Sequence, residues 1–114
     1  MSQITTHILD TSQGRPASNI LVRLEQQKTD GSWNELSAKK TDNDGRIMNL
    51  LPKENVLDPG VYQMVFVTAP YFEKQGIPSF YPEIEIRFSL REPEQHYHVP
   101  LLLSPFGYST YRGS

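Results

Sequence analysis

Apolar and polar residues alternate with a period of two along most of the chain, the pattern of strands with one buried face. It is cleanest over residues 84–91, where Ile84, Ile86, Phe88 and Leu90 alternate with Glu85, Arg87, Ser89 and Arg91. Ile20, Val22 and Leu24 alternate less cleanly with Leu21, Arg23 and Glu25. Residues 61–67 are rich in β-branched and aromatic side chains and are apolar on both faces, which suggests a strand with one face on the core and the other against a second body, such as another subunit. Residues 95–103 form a further strand, in which Pro100 fits only at an edge or an irregularity.

Turn residues separate these runs. Thr29-Asp30-Gly31-Ser32 divides the strand at Ile20 from residues 33–40, and Asp42-Asn43-Asp44-Gly45 divides the latter from residues 46–51. Each Asp-Gly pair reads as a tight hairpin with positive φ at both central positions. Asp58-Pro59-Gly60 opens the strand at Val61, and Ser104-Pro105-Phe106-Gly107 closes the one at Gln95. One short helix is expected over residues 71–75, after Pro70 and ended by Gly76. Seven or eight short strands with turns every eight to twelve residues describe an all-β, antiparallel sandwich.

The length of 114 residues fits one domain, spanning residues 1–114, with a core of its own. The chain has no cysteine, which removes disulfides, thiolate metal sites and thiol nucleophiles. The net charge of −2 is spread along the chain with no basic cluster, so nucleic acid is not an expected partner. No apolar run approaches the roughly 20 residues that span a bilayer, and residues 1–6 lack the basic and apolar regions of a secretory signal. A soluble cytoplasmic protein without membrane contact is the expectation.

Three histidines carry the candidate chemistry. His7 shares a strand face with Thr5 and Leu9. His96 and His98 share one face of the later strand, with Tyr97, Val99 and Leu101 on the core face. Three readings are open: partly exposed histidines without a role, a His-x-His metal pair completed by His7, and acid/base chemistry, since imidazole titrates near pH 6.5. Arg46, just past the Asp-Gly turn, is either a solvated charge or a group that binds an anion or stabilises an oxyanion; Arg112 has the same two readings. An EF-hand loop centred on Gly45 fails, because Lys40 and Leu51 stand where acids are needed. No Gly-x-Ser-x-Gly elbow or phosphate-binding glycine loop is present. Tyr97, Tyr108 and Tyr111 read as packing or pocket-capping aromatics. The sequence closes on Tyr111-Arg112-Gly113-Ser114, an aromatic, a fixed cation, a glycine and a hydroxyl that read as a tail folded back into a site.

Taken together these residues resemble the transthyretin-related hydrolases that open 5-hydroxyisourate, over almost the whole chain. The matching segments are Thr5-Thr6-His7-Ile8-Leu9-Asp10-Thr11 through Gly14-Arg15-Pro16-Ala17; Thr41-Asp42-Asn43-Asp44-Gly45-Arg46; Tyr81-Pro82-Glu83-Ile84-Glu85-Ile86; and His96 through Pro105, leading by Tyr108-Ser109-Thr110 into Tyr111-Arg112-Gly113-Ser114. The resemblance implies two four-stranded sheets with one short helix, and a homotetramer built as a dimer of dimers with its sites in the channel between dimers. It implies His7, Arg46 and His98 as catalytic residues, with His96 structural, and Tyr111, Arg112, Gly113 and Ser114 as substrate-binding. It implies hydrolysis of 5-hydroxyisourate to 2-oxo-4-hydroxy-4-carboxy-5-ureidoimidazoline with no cofactor and no metal. Ligand carriers of the same fold have a lysine, an acidic residue and a threonine at positions 7, 46 and 98, and lack the closing tetrapeptide; this sequence has the hydrolase residue at each. A non-enzymatic carrier and a β-sandwich interaction module are the alternatives.

Overall fold

The period-two segments form two sheets that face each other across one core. A computed structural model describes residues 2–114. In chain order the elements are β1 (Ile4–Asp10), β2 (Arg15–Pro16), β3 (Leu21–Gln27), β4 (Trp33–Lys40), β5 (Arg46–Ile47), β6 (Gly60–Val67), α1 (Ala69–Glu73), β7 (Ile84–Leu90), β8 (Tyr97–Ser104) and β9 (Gly107–Thr110). The first sheet has the order β2-β1-β8-β9, with β5 also on β1; the second has the order β4-β3-β6-β7. The first sheet is therefore four strands wide. Its outer column is divided between β5, opposite Thr6 and His7, and β2, opposite Leu9 and Asp10.

Alternation fills the space between the sheets. Ile4, Ile8, Leu101 and Leu103 come from the first sheet and Val22, Leu24, Met64, Phe66 and Ile84 from the second, all buried in one cluster. Each such side chain contributes about 1.5–3 kcal/mol over an exposed position. Among the described residues no buried side-chain polar atom lacks a hydrogen-bond partner. No described helix is long and apolar enough to cross a membrane.

Several local expectations shift. The sandwich is not wholly antiparallel, because β1 and β8 pair in parallel. The helix starts two residues early, at Ala69. Gly76, at φ 69°, ends the helical turn, with bonds from Gly76 N to Glu73 O and from Ile77 N to Phe72 O. In the two Asp-Gly turns only the glycines have positive φ, 86° at Gly31 and 73° at Gly45. Both turns close as four-residue bends, Gly31 N on Lys28 O and Gly45 N on Asp42 O. The second does not return the chain to β4; it carries residues 46–47 across to β1. On the outer face of β6, Gln63 and Val65 are buried within the chain itself, with Gln63 bonded to Glu25 at 2.7 Å and to Arg87 at 3.3 Å.

Candidate active site

The outward face of β1 collects the chemistry. Thr5 lies opposite His98 on β8, and His7 lies opposite Arg46 on β5 and Pro100 on β8. Opposed residues of paired strands point to the same face, with Cβ atoms of an antiparallel pair about 4.5–5.5 Å apart. His7, Arg46 and His98, chosen from three distant stretches of sequence, thus share one surface. Their neighbours Ile8, Val99 and Leu101 point into the core.

Arg46 is delivered by the turn before it. The Asp42 carboxylate accepts from the backbone N–H groups of Asp44 and Arg46, both at 2.9 Å. Gly45 is obligatory here, because a Cβ at that position would stand 2.5 Å from the Ile8 carbonyl oxygen, in a backbone conformation that side chains already disfavour. Ile8 N in turn donates to Gly45 O at 2.8 Å. Arg46 is exposed and forms no ion pair among the described residues.

Both outward imidazoles are biased toward the neutral form. Burial lowers the pKa of His7, and Arg46 lowers it further. A backbone hydrogen bond with Asp44 and the Asp42 and Asp44 carboxylates work in the opposite direction without prevailing. Burial lowers His98 as well, reinforced by His96, Arg46 and His7 and opposed by a backbone hydrogen bond with Thr5. Two neutral imidazoles can accept a proton at pH 7, and the planar guanidinium beside them can hold a developing negative charge.

His98 is also held from beneath and from the side. Thr5 Oγ1 bridges His98 Nδ1 at 2.8 Å and His96 Nε2 at 2.9 Å. No group of three potential metal ligands gathers among the described residues. The tail supplies the side support. The pairing of β9 with β8 is interrupted beyond Leu101↔Thr110, where Tyr111 comes opposite Pro100, which has no N–H to give. Thr110 Oγ1 donates to Pro100 O at 2.7 Å instead, and pairing resumes at His98↔Gly113 with Gly113 N on His98 O at 2.8 Å.

Gly113 lies flat on the imidazole. A Cβ there would stand 2.6 Å from His98 Cδ2 and 3.3 Å from Pro100 Cγ. Gly113→Ala is therefore expected to displace the His98 ring and lower turnover at this site up to about a hundredfold. Unchanged His98 ring resonances and an unchanged rate would show that the ring has room to spare.

The remaining tail residues divide. Tyr111 is 58% exposed. Arg112 is tied back: its guanidinium stacks 4.5 Å above the Tyr97 ring and donates to Gln95 Oε1 at 2.8 Å and to His96 O at 3.4 Å. Within one chain it anchors the tail rather than facing His98. Ser114 is exposed just beyond Gly113. Sequence reasoning missed Thr5 and Gln95 as parts of this assembly, whereas Tyr97, read as a packing or pocket-capping aromatic, packs against Arg112 of the tail. Position 5 carried one signal, two residues before His7 on the same face, but its contact with His98 depends on a parallel register that no local pattern encodes.

Comparison with known proteins gives one consistent picture. Residues 4–113 match the HIUase/Transthyretin family. The chain is 49% identical to 5-hydroxyisourate hydrolase of Salmonella dublin over 111 residues, covering 97% of this chain and 80% of that protein. It superimposes on the 5-hydroxyisourate hydrolase of Klebsiella pneumoniae with a TM-score of 0.84 at 33% identity, covering 97% of this chain and 98% of that one. It also superimposes on sea bream transthyretin in complex with thyroxine, with a TM-score of 0.90 at 34% identity, covering 97% and 94%.

Proposed function

The chain belongs to the HIUase/Transthyretin family, and from that premise we propose that it hydrolyses 5-hydroxyisourate to 2-oxo-4-hydroxy-4-carboxy-5-ureidoimidazoline in urate breakdown. The observation that carries this reading is the outward face shared by β5, β1 and β8, where two imidazoles biased to neutrality stand with a guanidinium that forms no ion pair among the described residues. A neutral imidazole, His98 or His7, takes a proton from water as the water oxygen bonds to the six-membered ring carbonyl. Arg46 stabilises the resulting oxyanion and orients the ring. The tetrahedral centre collapses, the carbon–nitrogen bond breaks, and the protonated imidazole returns its proton to the leaving nitrogen. Tyr111 and Ser114 close over the substrate, Gly113 seats His98, and Arg112 holds the tail in place. The substrate's carbonyl is already activated, so the reaction draws on no cofactor or metal.

The face is open in a single chain, so the same reading makes the working enzyme a homotetramer, a dimer of dimers with sites enclosed between dimers. Sedimentation at the mass of one chain under assay conditions would remove that part.

The likeness to a thyroxine-bound transthyretin supports a carrier of small aromatic ligands as a second reading. Turnover separates the two. Urate oxidase generates 5-hydroxyisourate in the cuvette, and its ultraviolet decay is followed with and without the protein. Accelerated decay is the expected result; saturable binding without acceleration is the carrier's.

The pH profile tests the protonation states. The folded pKa values of His7 and His98 lie below the ordinary 6.5, so the base remains unprotonated as pH falls through 6.5. The plateau of kcat/KM is expected to extend below pH 6.5 before an acid limb appears. An acid limb beginning near pH 7 would mean that burial and Arg46 do not act on the base.

A further inference from the structure

Thr5 is fully buried, and its single hydroxyl lies between two imidazole nitrogens, His96 Nε2 and His98 Nδ1. A hydroxyl has one proton to donate. It can serve only one ring as donor, so the other ring nitrogen must carry its own proton and donate to the oxygen. The two tautomers are therefore linked. If His98 is protonated on Nδ1, His96 presents a bare Nε2 to the Thr5 hydroxyl. If His96 is protonated on Nε2, the hydroxyl turns to His98, whose proton must then sit on Nε2.

The reading of His98 as the base selects the first arrangement. Thr5 occupies His98 Nδ1, so Nε2 is the ring nitrogen left for a water molecule, and it must be bare to take a proton. That places the proton on Nδ1, although a free neutral histidine prefers it on Nε2. The rings lie nearly parallel, at 20° with centroids 6.4 Å apart, so neither must reorient for the bridge to persist.

Resting on the reading of His98 as the water-activating base, we propose that Thr5 and His96 are positioning residues that hold the His98 proton on Nδ1 and keep Nε2 bare. When Nε2 takes a proton from water, Nδ1–H keeps its bond to Thr5, so no partner has to move during the reaction. His96 acts through Thr5 and touches no substrate.

The test reads tautomers and rates together. Long-range 1H–15N spectra of the assembled protein, with 15N-labelled histidine at pH 8, are compared for wild type, Thr5→Val, Thr5→Ser and His96→Phe. Wild type and Thr5→Ser are expected to show His98 with bare Nε2. In Thr5→Val the ring loses its partner at Nδ1, and in His96→Phe the freed Thr5 hydroxyl can donate to Nδ1, so in both the signals move toward the Nε2–H tautomer. In those two variants kcat falls by about tenfold or more with KM little changed, and serine restores it. The His7 signals monitor folding of the face. An Nε2–H tautomer in wild type, or no tautomer change in Thr5→Val, overturns the proposal. Tautomers that shift as expected in a protein that leaves 5-hydroxyisourate untouched would uphold the linkage and sink the substrate reading instead.

Discussion

His98→Asn is expected to lower kcat by about 10²- to 10⁴-fold, the range that positioned proton transfer supplies. The amide reaches the Thr5 hydroxyl that the imidazole now engages at 2.8 Å, so the packing beneath Gly113 is largely kept. It has no lone pair of suitable basicity to take a proton from water. Because His98 is only half-buried and faces outward, the urea midpoint is expected to move little, so lost rate is not lost fold. Near-full turnover in a folded His98→Asn protein would transfer the base role to His7. A His7→Asn protein assayed in parallel decides between them.

Arg46→Gln is expected to cost about 10²- to 10³-fold in kcat, comparable to removing a donor from an oxyanion site. It carries a second signature. Arg46 lowers the pKa of both His7 and His98, so its removal must raise both, and the acid limb of kcat/KM should move to higher pH. A purely structural role would not move that limb. A slower enzyme with an unmoved limb would place the guanidinium too far from the imidazoles to act on them. The turn should survive the substitution, because Asp42 holds the backbone N–H of residue 46, not its side chain.

Much of the site could be named from sequence because strand faces are a local property. The alternation at His96-Tyr97-His98 fixed which side chains turn outward, and Tyr97 is indeed buried with Val99. The placement of Arg46 just after an Asp-Gly turn was equally legible, since Gly45 is the residue that a left-handed bend requires. The destination of that turn was not. It reads as a hairpin back to residues 33–40, yet β5 crosses to β1, where Ile8 supplies both a donor for Gly45 O and a carbonyl that admits no Cβ. The outer face of β6 was legible only in part: Gln63 is bonded to Glu25 and Arg87 on neighbouring strands, contacts that apolar patterning along residues 61–67 cannot register.

The sequence by itself determined the strand segments, their inward and outward faces, the glycine turns and the residue types that can move a proton or hold an anion. Each follows from contacts within a few residues of the chain. Only the tertiary structure decided that β1 and β8 run parallel, that a threonine hydroxyl joins two imidazoles 91 and 93 residues further along, and that Arg112 turns toward Gln95 and Tyr97 while Gly113 lies on His98. Those pairings depend on which strands become neighbours in the sheet, and that is set by how the whole core packs.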